Sequence, residues 1–324
     1  MIELQQIIKP VATEFEQFQK DFAEVLHSEV PLLQSAIEQV LRSGGKHIRP
    51  LLLLLAAAAC DHPNALTREA AVIAETLHTA TLIHDDVIDE TKQRRGQPSL
   101  NAIFDNRIAV LTGDFMLAGA LLRASQTGHV GIVNVIAAVC RELSEGEMIE
   151  LDNTLQSSCN ESDYFKMINK KTGALIASCA ELGALTVNAS PEMTEKCRLI
   201  GQYLGLCFQI KDDIFDYLDN ACIGKPTGND VREGKITLPL IYALRTAPAA
   251  QTSVCVEMIN NKDYTPANIT HLLAFAKQHG GIEYAEQRLT EHKRQAVELI
   301  ASLPDTPARA ALLLLADFIA ERTL

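Results

Sequence analysis

Two aspartate-rich clusters, DDVID at residues 85–89 and DDIFD at residues 212–216, lie inside apolar, proline-free stretches and constrain the fold more than any other feature. Each places carboxylates at i, i+1 and i+4. On a helix, i and i+4 stack on one face. Asp85 with Asp89, and Asp212 with Asp216, therefore project side by side, flanked by Asp86 and Asp213. Carboxylates that close repel and raise one another's pKa unless a cation compensates. Oxygen donors with no thiolate partner point to Mg²⁺, which bridges protein carboxylates to substrate phosphates. Two solvated acidic faces would be the plainer reading, but such faces rarely repeat one spacing inside apolar helices.

Helical periodicity recurs along the whole chain. It predicts helices near residues 10–42, 50–60, 66–93, 99–123, 129–155, 161–188, 192–219, 237–246, 266–278, 280–303 and 306–322. Turn chemistry separates them, as in SGGKHIRP at 43–50, RRGQPS at 94–99 and the long break at 223–235. No strand-like alternation survives. Hydrophobic residues make up 47% of the 324 and aromatics only 5%, so the core is aliphatic, as suits helices. No composition shift marks a linker. The expectation is a single all-α domain over residues 1–324, with two halves that each carry one aspartate cluster. Bundle cores are a common place to build metal sites from facing helices.

A net charge of −12 argues against a nucleic-acid partner, whose binding is driven by Lys and Arg. The 8 cysteines are scattered without a C-x-x-C pair, which favours free thiols and a reducing, cytoplasmic setting. The first residues lack the basic and apolar regions of a signal peptide. The apolar run after Pro50 reaches only about half of the ~20 residues a membrane helix needs and reads as a buried core helix.

Basic residues form a second set. Lys46 and Arg49 follow Gly44 and Gly45 just before that core helix, so glycine backbone, two cations and a helix N-terminus converge as an anion site. His78 shares a stripe with Asp85 and Asp89, and Thr81 stacks one turn below Asp85. Arg94 and Arg95 follow the first cluster, while Lys225 and Lys235 lie in the loop after the second. Carboxylates, hard metals and cations in two groups suit two diphosphates.

The ordered set GGKHIRP (44–50), LIHDDVIDE (82–90), RRGQPS (94–99), GD (113–114), KKTGALI (170–176), FQIKDDIFD (208–216) and GKPTGND (224–230) resembles the trans-prenyl diphosphate synthases. Seven blocks in the family's order make the resemblance specific over residues 40 to 240. It implies an all-α bundle around a central cavity, usually a homodimer, using a set of about three Mg²⁺ ions with substrate bound. By motif, Lys46, Arg49, His78 and Arg95 would hold the diphosphate of isopentenyl diphosphate. Arg94, Lys171, Thr172, Gln209 and Lys235 would contact the allylic diphosphate. Asp85, Asp86, Asp89, Asp212, Asp213 and Asp216 would hold the metal. The family often has Arg where this chain has His47, and short-chain members often end in a basic tail where this chain ends ERTL.

Product length in the family is set five and four residues before the first cluster, here Ala80 and Thr81. Both are small, so growth past farnesyl is expected. The pattern is most similar to bacterial long-chain enzymes of the octaprenyl type, which make quinone side chains; a geranylgeranyl enzyme is the shorter alternative. A long apolar product implies a transient membrane contact for release. A terpene cyclase, a di-iron bundle using the two ExxH pairs (Glu24–His27 and Glu75–His78) and a non-catalytic subunit of a heteromeric synthase are the rival readings. None of the three accounts for both complete aspartate clusters together with the glycine–lysine–arginine anion site.

Overall fold

Apolar residues at helical spacing, broken by Pro, Gly and capping side chains, produce an almost entirely helical chain. A computed structural model describes residues 3–42, 44–94, 96–157, 160–218 and 227–322. In chain order the helices begin with α1 (Leu4–Ile8), α2 (Ala12–Glu24), α3 (Pro31–Arg42), α4 (Ile48–Cys60), α5 (Ala65–Ile88), α6 (Leu100–Ile103), α7 (Asn106–Gln126) and α8 (Val130–Gln156). Next come α9 (Glu161–Ile168), a π-helical turn (Asn169–Gly173), α10 (Ala174–Thr186), α11 (Pro191–Asp216) and α12 (Asn229–Arg232). The last five are α13 (Leu238–Thr246), α14 (Ala249–Asn260), α15 (Pro266–Gln278), α16 (Gly281–Ala301) and α17 (Pro307–Glu321).

Local chemistry corrects several expected boundaries. The helix expected over 10–42 is two, because Pro31 opens α3. A proline has no N–H to donate to a preceding turn and is favoured at a helix start. The stretch expected over 99–123 divides where the Asp105 carboxylate accepts the Ile108 N–H at 2.9 Å and caps α7. The helix α14 was not anticipated; its sequence, AAQTSVCVEMIN, mixes polar and apolar residues with little helical periodicity. Among the described residues one short antiparallel ladder also forms, pairing Gln93 with Pro98 and Arg94 with Gln97.

Two compact units divide the chain. The first comprises Met1–Val139, Ser178–Arg198 and Leu303–Leu312. Its centre is α4, whose residues Leu51, Leu52, Leu53, Leu54 and Leu55 are at most 1% exposed. Each such leucine contributes roughly 1.5–3 kcal/mol by burial. Around it, α5 starts at a capping box: the Asn64 carboxamide oxygen accepts the Leu66 and Thr67 N–H groups, and the Thr67 hydroxyl accepts the Asn64 N–H. Such a cap is worth about 1 kcal/mol, and here it fixes the start of the helix that ends in the first aspartate cluster.

The second unit comprises Cys140–Ala177, Leu199–Ser302 and Leu313–Leu324. Its core gathers Tyr217, Val231, Leu240, Ile269, Leu272 and Phe275. Tyr217 follows the second cluster directly, is fully buried, and its phenol lies 3.1 Å from the Thr237 hydroxyl. That contact anchors the C-terminal end of α11.

Candidate active site

In the first unit, a pocket of about 160 Å³ opens between α2, α3, α4 and α5, with Phe22, Gly44, His47, Glu75 and His78 in its wall. Arg49, in the first turn of α4, places its guanidinium 2.9 Å from His78 Nε2. Lys46 is exposed. The backbone of His47 is left-handed (φ 47°), and its ring meets Phe18 and Phe22 edge-on at 5.5 and 5.8 Å. His47 Nδ1 lies 2.9 Å from the buried Glu75 carboxylate. The departure from Arg at position 47 therefore comes with its own partner, and Lys46 and Arg49 stay on either side of it. Arg95, assigned to this group by motif, lies outside the described residues.

At the end of α5, Asp85 and Asp89 are half-buried while Asp86 is buried. The 93–98 ladder folds Arg94 back onto Asp86, with Nε at 2.8 Å and Nη2 at 2.7 Å from Oδ1. Asn101 donates to the Asp86 carbonyl at 3.1 Å, which ties the loop to the helix end. Asp86 therefore orients Arg94. Of the two small residues a turn below, Ala80 is fully buried in a cluster with Leu26, Ile37, Ala109 and Met116, and Thr81 is half-buried with its hydroxyl on the His78 carbonyl.

In the second unit the KKTG motif forms the π-helical turn, one residue wider than an α turn and a frequent mark of functional sites. Two glycines let other helices approach it. A Cβ at Gly146 of α8 would stand 2.6 Å from the Lys171 backbone nitrogen, and one at Gly205 of α11 would stand 2.8 Å from Gly173 Cα. That closeness aligns the α11 side chains with the turn. Gln202 donates to Asn169 at 2.8 Å, and Thr172 donates to the Gln209 oxygen at 2.7 Å. Gln209 passes its own N–H to Asp213 at 2.8 Å, and the buried Tyr164 hydroxyl donates to the other Asp213 oxygen at 2.6 Å. Burial pushes the Asp213 carboxyl up to about 7 despite those two donors.

The lysines converge on one carboxylate. Glu150 lies 2.5 Å from Lys171 Nζ and 3.3 Å from Lys235 Nζ; Lys171 also meets Glu147 at 2.8 Å. Burial works against both charges, yet the glutamates hold Lys171 above the ordinary lysine range, and the two lysines hold Glu150 below the ordinary carboxylate range. Asp216 accepts the Asn229 and Asp230 N–H groups at 2.9 and 3.0 Å and so caps α12. Asp212 is half-buried and meets the Arg322 guanidinium at 2.7 Å.

A polyprenyl synthetase family profile matches residues 30–275, three quarters of the chain. The chain belongs to that family. The octaprenyl diphosphate synthase of Escherichia coli strain K12 is 34% identical over 304 residues, covering 92% of this chain and 93% of that one. The crystal structure of a decaprenyl diphosphate synthase from Rhodobacter capsulatus superposes with a TM-score of 0.94 at 32% identity, covering 99% of both chains. That of geranylgeranyl pyrophosphate synthase from Bacteroides thetaiotaomicron is 40% identical with a TM-score of 0.85, covering 98% of this chain and 99% of that one. This polyprenyl synthetase is thus a prenyltransferase that makes polyprenyl diphosphates, and its fold is the all-α fold of those enzymes.

Within the synthase, Arg49 lies against His78, two residues that the resemblance assigned to one diphosphate, and Thr172 against Gln209, two that it assigned to the other, whereas Lys171 turns to Glu147 and Glu150. The six aspartates differ in what they already hold. Asp86 and Asp213 are buried on structural donors and Asp216 caps a helix, whereas Asp85, Asp89 and Asp212 are more open. All the donors are hard oxygens, so each cluster by itself offers the donor type that a divalent cation such as Mg²⁺ takes. Sequence reasoning missed Glu150, Glu147, Tyr164 and Arg322, and named Glu75 only in the di-iron reading, not as the partner of His47. The only trace of the first two was a carboxylate pair at i and i+3 beside Gly146.

Among the described residues one helix, α7, is long and apolar enough to cross a membrane, with 33% of its most apolar window buried. Val110, Leu111, Leu121 and Leu122 are exposed along it.

Proposed function

We propose that this synthase condenses isopentenyl diphosphate with an allylic diphosphate, farnesyl diphosphate being the primer, to give a long all-trans polyprenyl diphosphate of the octaprenyl type. Quinone side chains are the destination this reading implies. One observation carries it: cations stand in two separate groups, Arg49 against His78 in the wall of a pocket in one unit, and Lys171 and Lys235 around Glu150 in the other. Two such groups suit one diphosphate each, and each unit also carries an aspartate cluster.

In this reading Asp85, Asp89 and Asp212 hold Mg²⁺, with Asp86, Asp213 and Asp216 supporting them. The bound ions supply neutralisation of the leaving diphosphate. Lys171, Lys235 and Arg94 add positive charge where the allylic C–O bond breaks and its electron pair departs with the diphosphate. Each unit charge pair at ~4 Å contributes on the order of 4 kcal/mol at an effective dielectric near 20. Lys46, Arg49 and His78 hold isopentenyl diphosphate so that its alkene electrons form the new C–C bond to the allylic cation. A proton then leaves the adjacent carbon for the released diphosphate. No side-chain nucleophile is needed.

The apolar face of α7 supports a homodimer formed by a second copy of the chain, in a cytoplasmic enzyme that touches membrane only to release product. A shorter, geranylgeranyl product is the second reading, favoured by the 40% identity to the Bacteroides enzyme. Incubation with Mg²⁺, farnesyl diphosphate and labelled isopentenyl diphosphate, then dephosphorylation and sizing of the alcohols, separates them. A C40 alcohol supports the first reading, a C20 alcohol the second, and no incorporation refutes both.

A further inference from the structure

Cys60 and Cys197 lie far apart in sequence, yet their sulfurs are 3.8 Å apart in the first unit. Cys60 is the last residue of α4 and half-buried, whereas Cys197, in the second turn of α11, is 1% exposed. We propose that this pair is a peroxide-responsive modification site, in which Cys60 is oxidised first and Cys197 resolves it as an intramolecular disulfide. Nothing in the prenyl-transfer chemistry uses either residue.

Two cysteines packed as small apolar groups could also sit at this distance, so the argument rests on what distinguishes them. A redox-sensing thiol is reachable, has thiolate character and stands next to a second thiol. Cys60 combines all three. The hydrogen bond with Cys197 pulls it below the ordinary cysteine range, against burial and the neighbouring Asp61. Cys179 and Cys207 are buried and pushed up to about 12, and Cys140 is half-buried but also raised by burial. Backbone geometry adds to this. A disulfide needs an S–S separation of about 2.05 Å, and Cys60 ends its helix, followed by Asp61 in extended conformation (φ −165°, ψ −163°). The sulfurs can close without unwinding the body of α4.

The chemistry balances with hydrogen peroxide as oxidant. The Cys60 thiolate attacks one peroxide oxygen, the O–O bond breaks, and hydroxide leaves to take up the thiol proton as water. The Cys197 sulfur then attacks the resulting sulfenic sulfur and a second water leaves. Two thiols are oxidised by two electrons and one peroxide is reduced to two waters.

The test uses the full reduced chain, treated with a slight excess of peroxide, quenched and digested without reductant. The expected product has lost two hydrogens and yields one cross-linked peptide joining Cys60 to Cys197, released by dithiothreitol. Cys197→Ser should accumulate a sulfenic acid at Cys60 that dimedone traps. Cys60→Ser should leave Cys197 a thiol. Folding of both variants is checked by their melting curves. Recovery of Cys60 as an unmodified thiol, a bridge to any other cysteine, or equal oxidation of Cys197 in the Cys60→Ser protein overturns the proposal.

Discussion

Glu150→Gln tests the lysine arrangement most directly. The substitution keeps the shape of the side chain but removes the charge shared by Lys171 at 2.5 Å and Lys235 at 3.3 Å. The three side chains are only 22%, 18% and 13% exposed for Lys171, Lys235 and Glu150, so water screens little of the loss. Breaking a buried pair by deleting one partner costs about 3–5 kcal/mol. Each lysine keeps a second carboxylate, Glu147 at 2.8 Å and Glu233 at 2.9 Å, which places the cost near the lower figure, about 3 kcal/mol. At roughly 2 °C per kcal/mol for a chain of this size, the melting temperature should fall by about 6 °C. Inorganic diphosphate should then restore more stability to the variant than to the parent, because the anion supplies the charge that Glu150 no longer does. Melting curves with and without diphosphate measure both effects. A variant that melts within a degree of the parent, or gains no more from diphosphate, would refute the idea that Glu150 holds the two lysines for an anionic substrate.

Asp85→Ala should abolish most turnover while leaving the helical circular-dichroism spectrum and melting temperature nearly unchanged; retained turnover removes Asp85 from the metal site. Thr81→Phe should shorten the main product, read as a smaller alcohol after dephosphorylation, with little loss of stability because Thr81 is half-buried. Ala80→Phe should shorten it too, but at a cost of about 1–3 kcal/mol, because Ala80 is fully packed against its cluster; an unchanged product distribution in both would sink the pocket-floor role. Asp213 binds a proton more tightly folded than unfolded, with its carboxyl raised from 3.8 to about 7. Its contribution to stability is therefore complete below about pH 4 and lost as pH rises through about 7. In metal-free protein, Asp213→Asn should flatten the fall in urea midpoint across that window, and an unaltered slope would contradict the assignment.

The parts of the fold that local chemistry decides were legible in the sequence. Apolar periodicity located most helices, and the run after Pro50 is the buried core helix it was expected to be. The glycines and cations before that helix drew attention to its first turn, where Arg49 meets His78. What escaped depended on partners distant in the chain. Nothing near Glu150 shows that two lysines will converge on it from positions 171 and 235. Tyr164 looks like an ordinary aromatic until α11 brings Asp213 to its hydroxyl. ERTL carries no basic cluster, yet its single arginine reaches Asp212 and lies 3.9 Å from the Phe208 ring centre. The break before Pro31 was visible in principle, since a proline inside a helical pattern favours two helices over one.

The π-helical turn at Asn169–Gly173 also limits how this segment can vary across generations. It holds one residue more than the α-helical turns on either side. Deleting a single residue would restore regular winding with the faces of α9 and α10 nearly kept, because a π turn and an α turn each complete about one rotation. The loss would fall on the turn itself, where Lys171 meets Glu150 and Thr172 meets Gln209, and not on the packing of α10. Substitutions in this segment can be absorbed one at a time, whereas a one-codon loss disables it in a single step. Its length is therefore expected to be more invariant than its composition.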